Sequence, residues 1–256
     1  MAARQHKHSS GYALIAVACL ALAPELCAQQ ADAIETALAD YSRDVNHLLR
    51  DETRKPAEVL DFLGIEAGMQ VLDLYAADGY YTYLLSRLVG ADGRVYAQNP
   101  PPGSNVEDIR QMYSLADALD ARILSAELSN VDHLREGFFD LSIPVASLDL
   151  IMLVQILHDF YNGDPDYAAA LLAQLLTHLK PDGVVVIIDH AGDAGQDNSR
   201  LHRMQKQQAL ELAERVGLRV VGDSDLLMNP QDRHRRSVFD PMLGRNSDRF
   251  LLKLQK

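Results

Sequence analysis

The stretch from Met69 to Thr82, Met-Gln-Val-Leu-Asp-Leu-Tyr-Ala-Ala-Asp-Gly-Tyr-Tyr-Thr, decides the fold. Its first half is a short apolar run broken only by Asp73, which is typical of a strand buried in a parallel sheet. A turn ending at Gly79 follows, and Tyr80 to Val89 carries apolar residues at helical spacing. Val95 to Gln98 then reads as a second strand. These elements predict a strand–turn–helix–strand unit, the nucleotide-binding half of a doubly wound sheet.

The same alternation of helices and strands continues to the end of the chain. The spacing of apolar residues, proline caps and glycine stops predicts five more helices and five more strands. The predicted helices are Ala33–Arg50, Ala57–Leu63, Val106–Arg122, Pro165–His178 and Leu201–Val216, and the predicted strands are Ile123–Ala126, Leu148–Leu157, Val184–Asp189, Leu218–Val221 and Phe250–Leu254. The expected fold is a single α/β domain, doubly wound around a mostly parallel, seven-stranded, Rossmann-like sheet.

Composition limits the possible partners. The chain has 256 residues, 48% of them apolar and 23% charged, which is enough for one domain with a full core. Its net charge of −12 argues against a nucleic acid bound through its phosphates and against a basic membrane-binding face. A small-molecule partner is therefore expected.

Residues 1–28 are predicted to be a secretory signal peptide. A short basic start precedes the apolar run from Tyr12 to Ala23, and Ala28 offers a small residue for cleavage. The run is shorter than the roughly 20 apolar residues of a membrane span, although an uncleaved anchor is the alternative. Cleavage removes Cys19 and Cys27, the only cysteines. The mature domain, 29–256, comprises N-terminal helices at 29–66 and the sheet core at 67–256, and is expected in the bacterial periplasm or outside the cell, without a membrane span.

The first strand and its turn resemble motif I of the class I S-adenosylmethionine-dependent methyltransferases. In that motif an acidic strand leads into a glycine-rich turn, whose backbone approaches the cofactor. This chain keeps only the last of three alternating glycines, with Tyr75 and Ala77 before Gly79, and it has Asn99 where the second strand usually ends in an acid. The Lys-Pro-Asp-Gly turn at 180–183 also resembles this family, as does the final helix followed by two strands, the last antiparallel.

A wider set of motifs resembles a group of predicted secreted bacterial methyltransferases. The resemblance implies S-adenosylmethionine as cofactor and a methyl acceptor that is unknown but expected to be a small molecule. Its motifs are Arg54-Lys55-Pro56, Gly68-Met69, Gly79-Tyr80-Tyr81-Thr82, Val95-Tyr96-Ala97-Gln98-Asn99, His158-Asp159, Asp189-His190, Leu201-His202-Arg203, Ser224-Asp225, Asn229-Pro230 and Ser247-Asp248-Arg249-Phe250.

On this resemblance the cofactor lies across the carboxyl ends of the first two strands, where ligands bind in open α/β sheets. Asp73, in the first strand, is expected to orient the turn. The turn and its neighbours, Tyr75, Ala77, Gly79 and Tyr81, are expected to face the methionine portion. Asn99, which ends the second strand, is expected to bind the ribose, and Glu127, beyond the third strand, is expected near the adenine.

The ends of the fourth and fifth strands indicate a reacting centre. His158 and Asp159 follow the fourth strand, and Asp189 and His190 follow the fifth, so two acid–histidine pairs are expected in one cleft. A neutral imidazole can accept the proton of an attacking hydroxyl or amine, while a carboxylate fixes its tautomer. His158 is therefore predicted to be the base, with Asp159 or Asp189 orienting it and His190 or His202 behind it. The other interpretation is that these groups tie strand ends to loops.

Three other functions are weighed against methyl transfer. A methyltransferase fold without activity, kept as an exported binding protein, is the main alternative, because S-adenosylmethionine is made in the cytoplasm. A nicotinamide-dependent oxidoreductase is disfavoured, because its pyrophosphate binds to a Gly-x-Gly-x-x-Gly turn and Gly79 alone cannot supply one. A metal hydrolase is disfavoured, because the histidines at 158, 190, 202 and 234 are dispersed and form no His-x-x-x-His pair. No metal site is expected.

Overall fold

The computed structural model describes residues 28–101 and 107–256 and contains the predicted seven-stranded sheet. Its strands are β1 Gln70–Leu74, β2 Arg94–Asn99, β3 Val131–Arg135, β4 Leu148–Val154, β5 Leu179–His190, β6 Arg219–Ser224 and β7 Arg249–Gln255. The helices are α1 at residues 28–39, α2 Val45–Arg54, α3 Pro56–Leu63, α4 Tyr80–Val89, α5 Glu107–Ser125, α6 Leu157–Gly163, α7 Pro165–His178, α8 Asn198–Leu201 and α9 Lys206–Arg215, with a 3-10 turn at Pro241–Leu243.

The strands lie in the order β3-β2-β1-β4-β5-β7-β6. Neighbouring strands are parallel from β3 to β5, whereas β7 runs antiparallel to both β5 and β6. The strand order reverses between β1 and β4, and ligands of open α/β sheets bind at such a switch point, beyond the carboxyl ends of the strands. The predicted doubly wound, mostly parallel architecture is confirmed.

Helices cover both faces of the sheet, which explains why the central strands are apolar on both sides. On one face, Val71 and Leu150 pack with Leu60 of α3 and Leu84 of α4. On the other face the alternate strand residues pack against α7 and α9. The central strands are therefore buried on both faces, as their apolar runs predicted.

The predicted single helix Ala33–Arg50 is wrong, because residues 40–44 are not helical and separate α1 from α2. Asp40 accepts a hydrogen bond from the backbone of Ser42, and Asp44 caps α2 by accepting one from the backbone of Asn46. Aspartate favours such local bonds over the helix interior. Tyr41 and Leu49, both apolar residues of the predicted helix, are 100% and 76% exposed.

Several other boundaries differ from the prediction. β5 begins at Leu179 and includes the predicted turn at 180–183, and the predicted helix Leu201–Val216 is wrong over its first five residues, because α9 begins only at Lys206.

Two further differences misplace candidate site residues. The predicted third strand, Ile123–Ala126, is the helical end of α5 and the residue after it, and β3 begins only at Val131. The predicted fourth strand stops at Val154, so that His158 lies in the first turn of α6. In each case a short apolar run suits a helix as well as a strand, and packing decides between them.

The predicted signal peptide lies outside the described residues except for Ala28, which begins the described part of α1. Among the helices that the structure describes, none is long and apolar enough to cross a membrane.

The turn between β1 and α4 keeps an unusual backbone despite its lost glycines. Tyr75, Ala77 and Gly79 all have positive φ, at 60°, 52° and 79°. A left-handed conformation costs an L-residue roughly 1–2 kcal/mol. At Gly79, a Cβ would also lie 2.5 Å from Cδ1 of Leu119. The turn is therefore strained at two positions and sterically restricted at the third.

Two side chains at the end of β2 hold this turn. The side-chain oxygen of Gln98 accepts a hydrogen bond from the backbone N–H of Tyr75 at 3.1 Å. Asn99 accepts from the N–H of Ala77 at 3.0 Å and donates to its carbonyl at 3.1 Å. Both amides are buried, and these bonds compensate for the strain of the turn.

Replacing Ala77 by glycine should raise the free energy of unfolding by about 0.5–1 kcal/mol, because glycine adopts this φ without strain but loses more backbone entropy on folding. The matched change Ala170→Gly, at an exposed position inside α7, should lower it by about 1 kcal/mol. Urea denaturation of both variants measures the two signs. Loss of stability in Ala77→Gly would show that this residue is not strained.

Candidate functional site

The carboxyl ends of β1 and β4 form the floor of the candidate site. The strands are paired in register, with Leu74 opposite Leu153, so that the strained turn after β1 begins beside the end of β4. There Gln155 also has a positive φ, at 57°. The turn that the sequence associates with a cofactor and the predicted reacting centre therefore meet at one edge of the sheet.

Asp189, near the end of β5, makes three hydrogen bonds, two of which hold the first turn of α6. Its carboxylate accepts from the backbone N–H of His158 at 2.9 Å and from that of His190 at 2.7 Å. It also bonds Nδ1 of His158 at 2.7 Å. The carboxylate is completely buried, and these three contacts satisfy a charge that would otherwise be costly to bury. Asp189 is thus the orienting partner of His158.

The other ring nitrogen of His158 faces a second carboxylate. Its Nε2 lies 3.2 Å from Oδ1 of Asp159, and the same oxygen lies 3.1 Å from Nδ1 of His202. His158 is almost fully buried, whereas the side chains of Asp159 and His202 are 46% and 38% exposed. We call these three residues the His–Asp–His cluster.

Two carboxylates determine the charge of His158. Burial by itself would lower the pKa of this imidazole, but the charges of Asp189 and Asp159 and the hydrogen bonds to them raise its pKa to about 10. In the free protein both ring nitrogens are therefore protonated at neutral pH, and the ring is positively charged. The sequence predicted a neutral imidazole here. A role of His158 as base stays a prediction, and it requires that the ring first lose one of its two protons.

His190 does not form the second acid–histidine pair that the sequence predicted. Its Nδ1 lies 2.7 Å from the hydroxyl of Ser247, and Asp189 contacts only its backbone. Burial lowers the pKa of His190 well below its ordinary value, and the nearby charge of His158 acts in the same direction. His190 is therefore a neutral neighbour, with its ring centroid 5.5 Å from that of His158.

Asp73 links the two elements on either side of the turn, and its predicted role in orienting the turn stays a prediction. It is buried in β1, where its carboxylate accepts a hydrogen bond from the hydroxyl of Thr82 in α4 at 2.6 Å. Burial raises the pKa of Asp73 to about 6. The bond ties the strand before the turn to the helix after it.

The predicted ribose contact is less direct than expected. The amide nitrogen of Asn99 donates to the carbonyl of Ala77 and lies 3.0 Å from Nε2 of His133. Its oxygen accepts from the backbone of Ala77. The side chain supports the turn, and a bond from Asn99 to ribose stays a prediction.

The structure contradicts the expected position of Glu127. This residue follows α5 and precedes β3, so it lies at the amino end of that strand. Ligands of open α/β sheets bind beyond the carboxyl ends of the strands, which are the opposite ends from Glu127. The prediction of Glu127 as a neighbour of adenine is therefore wrong, and its cause is the misplaced third strand.

The N-terminal helices close over the turn. Arg50 of α2 pairs with Asp78 at 2.5 Å, and Arg122 of α5 pairs with Asp44 at 2.7 Å and donates to the carbonyl of Asp78. His47 packs edge-on against Tyr80. The Arg50–Asp78 contact is bidentate, and a bidentate contact fixes geometry more firmly than a single exposed ion pair does.

Two arginines of the site were missed as functional candidates by the sequence reading. Arg54, at the end of α2, lies over the rings of Tyr80 and Tyr81 at 4.5 and 5.5 Å, and it donates to the side chain of Gln155 at 3.3 Å. Arg249 is buried, donates to the carbonyl of Thr53 and has its pKa lowered to about 10 by burial. Neither forms an ion pair with any residue that the structure describes. Their only sequence signal was membership of the quoted motifs.

Comparisons with known proteins agree with this architecture. A family model of the O-methyltransferase domain matches residues 108–219, which is less than half of the chain. A comparison with curated proteins finds no match.

Solved structures of S-adenosylmethionine-dependent methyltransferases share the fold. One from Aquifex aeolicus is 20% identical, with 88% of this chain and 97% of that chain covered at a TM-score of 0.58. The arsenic(III) methyltransferase CrArsM from Chlamydomonas reinhardtii is also 20% identical, with 87% and 72% covered at 0.53. One from Leishmania major is 15% identical, with 88% and 82% covered at 0.53. The chain thus has the class I methyltransferase fold, its domain match is to O-methyltransferases, and S-adenosylmethionine is the cofactor to which these findings correspond.

Proposed function

We propose that this protein transfers a methyl group from S-adenosylmethionine to a hydroxyl oxygen of a small organic acceptor. The observation that carries the proposal is the meeting of two features between the adjacent strands β1 and β4. The strained turn at residues 75–79 lies on the β1 side, and His158 and Asp159 of the His–Asp–His cluster follow β4. The match to the O-methyltransferase domain supports oxygen as the methyl acceptor.

The residues of the turn side fit the cofactor. The turn keeps its positive-φ backbone without the glycines that usually permit it, and strain of this kind is maintained where a ligand is clamped. Arg54 offers a cation without a carboxylate partner among the described residues, which suits the carboxylate of the methionine portion. When bound, S-adenosylmethionine supplies a methyl group activated by a sulfonium. The turn backbone and Arg54 would hold it.

The His–Asp–His cluster would hold the acceptor. Asp159 and His202 are accessible to solvent, while the buried His158 is locked by Asp189. Methyl transfer depends mainly on in-line placement of the acceptor oxygen, and rigid polar side chains beside the methyl position provide it. The net charge of −12 supports a small acceptor over a nucleic acid.

We also propose that the protein acts outside the cytoplasm, because residues 1–28 have the pattern of a signal peptide. Fractionation of the native host, followed by N-terminal sequencing, should locate a chain that begins near Gln29 in the periplasm or medium. Full-length chain found only in the cytoplasm would contradict export and leave methyl transfer untouched.

Arg54→Met should weaken the binding of S-adenosylmethionine by about 10–100-fold, because a hydrogen bond to a charged group contributes roughly 1.5–3 kcal/mol. Methionine keeps an apolar stem over Tyr80 and Tyr81. Calorimetric titration with S-adenosylmethionine and S-adenosylhomocysteine measures the change. The matched control is Arg94→Met, at the amino end of β2, where the arginine is 44% exposed and pairs with Asp132.

The control should bind like the unmodified protein. Absence of binding by the unmodified protein would overturn the assigned cofactor, and unchanged affinity in Arg54→Met would remove Arg54 from the site. Binding without any methyl transfer would favour the alternative of an exported binding protein.

His158→Ala should lower methyl transfer by about 10²-fold while leaving the affinity for S-adenosylmethionine unchanged, because the acceptor loses its positioning group. The assay incubates the protein with labelled S-adenosylmethionine and a small-molecule extract of the host, and follows S-adenosylhomocysteine and O-methylated products by mass spectrometry. Equal product from His158→Ala and the unmodified protein would make the histidine structural.

A further inference from the structure

We propose that the His–Asp–His cluster is a binding site for one divalent transition-metal ion. His158, Asp159 and His202 each offer one ligand atom, and these three atoms all lie within 4.8 Å of one another. The two measured contacts between a ring nitrogen and Oδ1 are 3.2 and 3.1 Å. An ion bonded to nitrogen and oxygen at roughly 2.0–2.2 Å needs its ligand atoms about this far apart.

The outer contacts of His158 are those of a metal ligand. A histidine that binds a metal through one nitrogen almost always donates the other N–H to a carboxylate or carbonyl group, which fixes the tautomer and the direction of the ring. Here Asp189, completely buried, occupies the Nδ1 side at 2.7 Å. Nε2 is thereby directed at Asp159 and His202.

His202 is held in place by its backbone and by ring packing. It ends α8 with a left-handed φ of 54°, which aims its side chain back towards α6. Its ring lies between those of His158 and Phe239, with centroid distances of 5.8 and 4.7 Å. The three ligand atoms are therefore largely preset, and an ion bound there would replace the proton on Nε2 of His158.

The set of ligands selects the kind of ion. Two imidazoles and one carboxylate suit Zn²⁺, Co²⁺ or Fe²⁺, whereas Mg²⁺ and Ca²⁺ prefer oxygen ligands throughout. Three protein ligands leave at least one coordination position open, as in catalytic zinc sites. The exposure of Asp159 and His202 places that open position towards solvent.

The site deepens the proposed methyl transfer and rests on it for its role. A bound ion lowers the pKa of a coordinated hydroxyl group, so the acceptor's O–H bond would break with its electron pair staying on oxygen and its proton passing to solvent water. No protonatable base is then needed. The acceptor class would be a hydroxyl compound with a second oxygen that can reach the ion.

Metal binding is tested directly by titrating the chelator-treated full chain with Co²⁺ and following its visible absorption, then displacing Co²⁺ with Zn²⁺. All proteins carry His6→Ala and His8→Ala, because imidazoles outside the described residues could bind the same ions. We expect one ion per chain. Asp159→Asn and His202→Ala should each weaken binding at least about 10-fold, and Asp189→Asn about 10–100-fold.

The matched control is His234→Ala. His234 also touches two carboxylates, Asp193 and Asp248, each at 2.8 Å, but they face opposite ring nitrogens and cannot share one ion. The control should bind Co²⁺ like the parent. No stoichiometric binding by the parent, or equal affinity in His202→Ala and the parent, would overturn the proposal.

This titration uses neither S-adenosylmethionine nor an acceptor. A chain that binds Co²⁺ but not S-adenosylmethionine would refute the proposed function and keep the metal site. A chain that binds S-adenosylmethionine but no metal would refute the metal site and leave the proposed function standing.

Discussion

The site depends on one buried carboxylate. Asp189 sits at the end of β5 with no solvent contact, and a charge in that position must be compensated by donors. Its carboxylate accepts hydrogen bonds from the backbone N–H groups of His158 and His190 and bonds Nδ1 of the His158 ring. The first turn of α6 is therefore fixed to the sheet, and the free nitrogen of His158 is aimed at Asp159.

The cofactor turn shows how a backbone can outlast the residues that usually allow it. Tyr75 and Ala77 hold left-handed conformations that glycine would adopt at lower cost. Gln98 and Asn99 offset that cost by bonding the turn from the neighbouring strand. The amide at the end of β2 is thus drawn towards the protein backbone, where an acid would have been free for a ligand.

Positive charge is concentrated above the cleft of a protein that is acidic overall. Arg50 and Arg122 neutralise acids of the turn region, but Arg54 and Arg249 have no ion-pair partner among the described residues. Unpaired arginines beside buried tyrosines are costly unless a ligand supplies the opposite charge. The electrostatics of the cleft therefore favour an anionic group, such as the carboxylate that we propose Arg54 would bind.

Local sequence determined most of the fold, since β1, α4, α7 and the apolar strands carry periodicities that packing only confirmed. It failed at Ile123–Ala126, where a short apolar run belongs to a helix, and Glu127 was misplaced with it. It predicted His158, Asp159 and His202 near one centre, but it could not foresee that a single oxygen of Asp159 contacts both rings, because Asp159 and His202 are 43 residues apart. Only the parallel pairing of β4 with β5, and the return of α8 to that edge, brings these side chains together. Periodicity reports the surroundings of one element, whereas a site made of several strand ends exists only once the sheet has formed.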